Sequence, residues 1–295
     1  MDAVVSARPE ETLAFDVIGP AEQTAAVVVA SPHSGRTYTP EFLAACRLDL
    51  KTLRKSEDSY VDELLGAAPH CGAPLLRARF PRAYVDPNRE PFELDPAMFD
   101  DDLPAYANTC SPRVTAGLGT IARVVANGEE IYHRKLQVAE AISRIDRLYH
   151  PYHEALEDLV AGTRARFGAC LLIDGHSMPS VGGPLDRDAG RRRVDFVLGD
   201  CHGSTCAPEI VDIVQDFLET QGYHVTRNVP YAGGFTTRHY GRPDSGVHAL
   251  QIEINRSLYM DEDSFERGHG FAELTGHLGE LLALLVRKSA LLRAG

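Results

Sequence analysis

Two histidines stand in the same kind of place in this chain. Each follows a short apolar run and precedes a small residue: His33 in VVVASPHSG and His176 in CLLIDGHSM. A histidine after a strand is an ordinary hydrogen bonder, but the repeated pattern, with small neighbours that leave room for approach, suits a metal ligand. A hydrolytic zinc centre takes three protein ligands of His, Asp or Glu type and keeps a fourth position open to water. The acidic run SEDSYVDEL offers Glu57, Asp58, Asp62 and Glu63. Such charge is common at a helix start, where the dipole favours it. The spacing of Asp58, Val61, Asp62 and Leu65 nevertheless predicts both aspartates on one helical face beside apolar residues. In LQIEINR a period of two places Gln251, Glu253 and Asn255 on one face of a strand, with Ile252 and Ile254 on the other. A carboxylate set between isoleucines is costly unless it has a partner or a function. Asn88 and Arg89 close YVDPNR, again just after a strand-like run.

The elements that must carry these residues alternate along the chain. Apolar runs predict strands at Ala25–Ala30, Leu75–Ala78, Cys170–Asp174, Val194–Leu198, Tyr223–Thr226 and Val247–Asn255. Helical periodicity predicts helices over Asp58–Ala68, Tyr132–Arg166, Pro208–Gln221 and Phe265–Leu292, the second kinked or broken at Pro151. Strands separated by helices imply an α/β fold of three layers, a mixed and mostly parallel sheet between helices. In such sheets the ligand crevice lies at the carboxyl ends of the strands, where His33, Asn88, Arg89 and His176 fall. Segments 86–104 and 178–192, rich in Pro, Asp, Gly and Arg, read as long loops over that edge.

Other motifs carry less. Cys201 and Cys206, with His202 between them, have no second pair to complete a metal site. HSMPS lacks the nucleophile-elbow pattern, and AGLGT and YAGGF match neither a phosphate loop nor a dinucleotide fingerprint. Arg191, Arg192 and Arg193 read as a solvated loop. His150, His153, His269 and His277 lie on helical patterns and read as surface or packing residues.

Composition sets the bounds. The chain has 295 residues, enough for one large domain (residues 1–295), with 1–20 expected as a peripheral segment. Its net charge of −12 disfavours a nucleic-acid partner, which needs a basic face. The six cysteines show no framework spacing and are expected as thiols of a reducing compartment. The first residues show no basic-then-apolar leader, and the apolar run Ala25–Ala30 is too short to span a bilayer. The expectation is a soluble, cytoplasmic protein with no membrane partner, its oligomeric state open.

With these residues in view, the sequence resembles the N-formylglutamate amidohydrolase family. The likeness runs through SPHSGRTYTPEF, EDSYVDEL, YVDPNREPFE, IDGHSMPS, LGDCHGSTC and the long block from Gly233 to Glu262, covering roughly residues 25 to 265. The resemblance implies kinship with zinc carboxypeptidases and with deacylases of N-acyl amino acids, and a carboxypeptidase-like fold with one zinc per chain at the strand ends. The same N and O donors accept other divalent ions. It implies His33 and His176 as ligands. Carboxypeptidases carry a glutamate three residues after the first ligand, where this chain has Arg36. The acidic ligand is then Asp58, with Glu57 as its neighbouring alternative. Glu253 matches the general base, and Asn88 and Arg89 match residues that hold the substrate carboxylate. Asn255 and Arg256 join them as substrate-binding candidates, and Arg82 or Arg238 would stabilise the oxyanion. The implied reaction is deformylation of N-formyl-L-glutamate to formate and L-glutamate. The alternatives are the same chemistry on another N-acyl amino acid or peptide carboxyl end, or a metal-free binding protein. YAGGF reads either as a lid hinge or as a plain turn. On this reading the first strand stops at His33 because it is a rigid mount for a ligand.

Overall fold

The structure, a computed structural model, describes residues 14–184 and 186–289. Seven strands form one sheet: β1 (Phe15–Ile18), β2 (Val27–Ser31), β3 (Leu75–Ala78), β4 (Cys170–Met178), β5 (Phe196–Gly199), β6 (Val225–Arg227) and β7 (Val247–Asn255), in the order β1-β3-β2-β4-β7-β5-β6. β2 pairs in parallel with β3 and β4, β4 with β7, and β5 with β6. β1 runs antiparallel to β3, and β5 antiparallel to β7. The expected mixed, mostly parallel sheet between helices is the fold observed.

Strand parity explains the layers. Val27, Val29, Leu171, Ile173, Leu250, Ile252 and Ile254 point to one face and pack with the helices Pro208–Thr220 and Phe271–Lys288. Val28, Ala30, Cys170, Leu172, Val247 and Ala249 point to the other and pack with the helix His150–Phe167 and much of the segment 80–149. Continuing the second parity toward the carboxyl ends of β4 and β7 gives Asp174, His176, Gln251 and Glu253. The site therefore grows out of one apolar face as its residues turn polar.

Several element boundaries differ from expectation, each for a local reason. β4 runs on to Met178, so His176 lies inside the strand rather than after it, paired along its whole length with β7. Part of the expected peripheral segment joins the sheet as β1, where Asp16 on β1 pairs with Arg77 on β3; residues 1–13 lie outside those described. The helix expected over 58–68 shrinks to Val61–Leu64, because Tyr60 takes the left-handed conformation at φ 67°. The helix expected from Tyr132 begins at Val138. Val138–Arg144 continues through a π turn, Ile145–Tyr149, into His150–Phe167. Pro151 lies in the first turn of that last segment, where a missing N–H is tolerated. The last helix starts at Phe271, because Phe265 is left-handed at φ 60°; its expected end at Leu292 lies outside the described residues. Among the described residues no helix is long and apolar enough to cross a membrane.

Candidate active site and metal centre

After β2 the chain turns over Pro32 and His33 to Gly35, where a Cβ would stand 2.0 Å from the carbonyl oxygen of Phe80. Only glycine permits that approach, and it fixes the turn that presents His33. Asp58 arrives from the opposite loop, its backbone N–H donating to the carbonyl of His33 at 3.0 Å. With Tyr60 left-handed, Asp58 and Asp62 do not share a helical face: Asp62 instead accepts from Arg77 Nη1 at 2.9 Å.

His33 Nδ1, His176 Nδ1 and Asp58 Oδ2 mark a near-equilateral triangle with sides of 3.1, 3.2 and 3.3 Å. All three residues are buried. The remaining polar atoms of each are held from outside. His33 Nε2 meets Asp86 Oδ1 at 2.8 Å. His176 Nε2 lies 3.0 Å from Asp174 Oδ2 and 3.3 Å from Asn88 Nδ2. The nearer, charged neighbour favours the tautomer with its proton on Nε2. Asp58 Oδ1 accepts from Ser177 Oγ and from Arg256 Nη2, both at 3.1 Å. Carboxylates behind ligand histidines orient the rings and leave the inner nitrogens as donors.

Two imidazole lone pairs and a carboxylate oxygen then converge on one point, an arrangement a cation relieves. The size fits as well: tetrahedral zinc with bonds of about 2.0–2.1 Å spaces its ligands by about 3.3 Å. The electrostatics point the same way. Burial opposes charge on His176, but Asp174, Asp58 and Glu253 override it and push its pKa well above the ordinary histidine value. Burial likewise opposes ionisation of Asp58, and hydrogen bonds from His176 and His33, with the charge of Arg256, hold its pKa well below the carboxylate range. Among the described residues this is the one cluster of three His, Cys, Asp or Glu side chains close enough to hold a metal ion. Cys201 and Cys206 form no such site.

Glu253 stands beside His176 as its register partner across β4 and β7. Gln251 Nε2 donates to Glu253 Oε1 at 2.8 Å. Burial, reinforced by the charge of Asp58 and opposed by His176 and Arg82, pushes the Glu253 carboxyl up to about 7. A carboxylate poised there can take and return a proton at neutral pH.

The other candidates divide by their engagement. Glu57 is turned away from the triangle, toward Arg54, Ser59 and Tyr38, where it anchors the loop that carries Asp58. Arg82 Nε donates to Asp86 Oδ2 at 2.9 Å, and this side chain is 27% exposed. The charges that act on Arg82 include Asp58 and Glu253. Arg89 is buried and committed to the carbonyls of Leu118 and Asn88, with Asp86 at 3.4 Å. Arg256 is spent on Ser177, Asp58 and the carbonyl of Lys55. Asn255 is spent on the carbonyls of Arg193 and Val194 and on Ser257, so its shared parity with Glu253 does not bring it to the triangle. Arg238 is exposed and lines a surface cavity of about 470 Å³ with Arg242, Ser204 and Asp244, a lining that includes none of the triangle residues.

The glycines of YAGGF serve close packing. A Cβ on Gly234 would lie 2.2 Å from Asn88 Nδ2, and Asn88 Oδ1 accepts from the backbone of Thr236. Asp86, Asp174 and Ser177 were not singled out by sequence. Asp86 opens the DPNR motif, and Asp174 precedes His176 by two residues on one strand face, so both carried a readable signal.

Comparison with known proteins identifies the family. The model of the N-formylglutamate amidohydrolase family matches residues 25–260. The chain is 30% identical over 241 residues to the N-formylglutamate deformylase of Pseudomonas aeruginosa, covering 81% of this chain and 83% of that protein. It is 28% identical over 239 residues to the protein of the same name from Pseudomonas putida, covering 80% and 82%. The crystal structure of N-formylglutamate amidohydrolase from Ralstonia eutropha JMP134 superposes with a TM-score of 0.84 at 39% identity, covering 93% of this chain and 99% of that one. The chain belongs to the N-formylglutamate amidohydrolase family.

Proposed function

We propose that the protein is a zinc-dependent amidohydrolase that deformylates N-formyl-L-glutamate to formate and L-glutamate. The observation that carries this reading is the convergence of His33 Nδ1, His176 Nδ1 and Asp58 Oδ2 with Glu253 on the adjoining strand. The names of the relatives support the substrate. Zinc held by the three donors would supply Lewis acidity at the formyl carbonyl and acidify a water toward neutral pH. Glu253 takes the proton of the attacking water and delivers it to the amide nitrogen as the C–N bond breaks. Arg82, the partly exposed cation of the set, steadies negative charge that develops on the carbonyl oxygen.

Arg82 and Arg89, both beside Asp86, supply the positive charge that favours a substrate with carboxylates. Burial, with Arg113 and Arg82 nearby, lowers the pKa of Arg89 to about 10 against the pull of Asp86, so it stays a cation at neutral pH. With its nitrogens tied to backbone carbonyls, Arg89 acts through charge, while Asn88 beside it keeps the DPNR turn in place. A binding protein needs no carboxylate in register with a ligand histidine, and Glu253 beside His176 argues for the enzyme.

The test is formate release from N-formyl-L-glutamate by protein stripped of metal and reloaded with zinc. Activity restored by zinc, with faster turnover than of N-formyl derivatives of neutral amino acids, supports the reading. Zinc-restored activity confined to neutral N-acyl amino acids would reject the substrate and keep the metal centre.

A further inference from the structure

The sheet face that carries His176 buries polar atoms that find no hydrogen-bond partner among the described residues. They are both carboxylate oxygens of Asp174, Oε1 of Gln251, and the hydroxyls of Tyr152 and Thr236. Asp174 Oδ2 does lie 3.0 Å from His176 Nε2, but this is an ion-pair approach rather than an aligned hydrogen bond, so its lone pairs are still open. All four side chains are buried, Asp174 and Tyr152 completely.

Their placement is concerted. Asp174 and Gln251 are register partners on β4 and β7. Tyr152 comes from the helix His150–Phe167, which packs over β4; burial, reinforced by the charge of Asp174, pushes its pKa well above the ordinary value and keeps the hydroxyl a donor. Thr236 comes from the helix Phe235–Tyr240, which packs on β7 and β4. Its backbone N–H donates to Asn88 Oδ1, while Asn88 Nδ2 lies 3.3 Å from His176 Nε2.

The chemistry is complementary: two hydroxyl donors and three acceptor oxygens are left without partners on one buried face of the sheet. A buried carboxylate without donors and a buried hydroxyl without an acceptor are each unfavourable. One ordered water, which makes about three hydrogen bonds in such a place, satisfies both at once. We propose that Tyr152 and Thr236 are positioning residues for the ligand His176, acting through buried water on the carboxylate of Asp174. Asp174 is then held against the imidazole, and the ring is held with Nδ1 toward the metal. This inference rests on the metal centre proposed above and adds two residues that touch neither metal nor substrate.

The test uses the whole chain as wild type, Tyr152→Phe, Thr236→Val and Thr236→Ser, each chelated and then titrated with zinc. Zinc affinity is expected to fall about tenfold in Tyr152→Phe and Thr236→Val, the usual effect of losing an outer partner. Thr236→Ser, which keeps the hydroxyl, should bind like wild type. In protein labelled with ¹⁵N-histidine, the Nε2–H resonance of His176 should shift in the first two variants and stay in the third. A merely structural role lowers the unfolding midpoint and leaves that resonance in place. The serine and valine pair at 236 decides the matter even where Tyr152→Phe fails to fold. Unchanged affinity and resonance in Thr236→Val overturn the proposal, as does a crystal structure with no water within hydrogen-bonding reach of Asp174 and Tyr152. Wild type that binds no zinc overturns this proposal and the proposed function together. Wild type that binds zinc, with variants that bind it equally, overturns this one alone.

Discussion

His176 and Glu253 face each other as register partners on adjacent parallel strands. The metal-ligand candidate and the proposed proton acceptor are thus separated by one strand spacing, about 4.8 Å in a regular sheet. Both strands are buried along their nine residues and pair from end to end. This relationship is set by the backbone, so neither Cα can shift without breaking the ladder.

Asp58 and Glu57 are neighbours with different tasks, and substitution should separate them. Asp58→Asn weakens the donor triangle and leaves Arg256 without its carboxylate, so zinc affinity should fall at least a hundredfold, beyond the range for outer partners. Glu57→Gln should keep zinc and lose stability, about 1–3 kcal/mol, because it disturbs a buried carboxylate held by Arg54 and Ser59. Competition with a chromophoric chelator and urea unfolding of both variants check this. The reverse order would move the acidic ligand by one residue.

Asp86 joins His33 to Arg82 and Arg89, and its pKa is held well below the carboxylate range; burial opposes this, while Arg82, Arg89 and His33 impose it. Asp86→Asn keeps an acceptor for the His33 ring and removes the charge. Zinc affinity should drop about 10- to 100-fold. An unchanged affinity, measured by the same competition, would show that Asp86 serves only the fold.

Glu253 should cost the metal-free protein stability at alkaline pH. Its folded-state pKa of about 7 is raised above the ordinary 4.5. A raised carboxyl favours folding below the ordinary value and loses that contribution as pH rises through about 7. Chelated Glu253→Gln should therefore be more stable than chelated wild type at pH 8, by roughly 2–3 kcal/mol relative to their difference at pH 4.5. Urea midpoints at the two pH values decide it, and a pH-independent difference would mean that Glu253 is not buried as a strained base.

Much of this site was legible because strand parity and small neighbours are local signals. His33, His176 and Glu253 follow from the period of two and from polar residues that end apolar runs, and the structure places all three together. Asp58 reached the triangle for a reason sequence did not show. The left-handed Tyr60 cuts the expected helix, and the Asp58–His33 backbone bond turns the loop inward. Arginine roles were the least legible. Arg89 and Arg256 look like free guanidinium forks in the sequence, yet each is consumed by carbonyls and carboxylates that only the tertiary fold supplies. β1 escaped notice because a four-residue edge strand has too little apolar pattern to stand out, and its ion pairs to β3 are long-range.

The most direct test of the account measures zinc content and formate release from N-formyl-L-glutamate on the same preparations of wild type and Glu253→Gln. The account predicts about one zinc per chain in both, with kcat in the variant lower by about 10²- to 10⁴-fold, the share of general acid–base catalysis. Zinc lost from Glu253→Gln, or zinc retained with near-normal turnover, would contradict it.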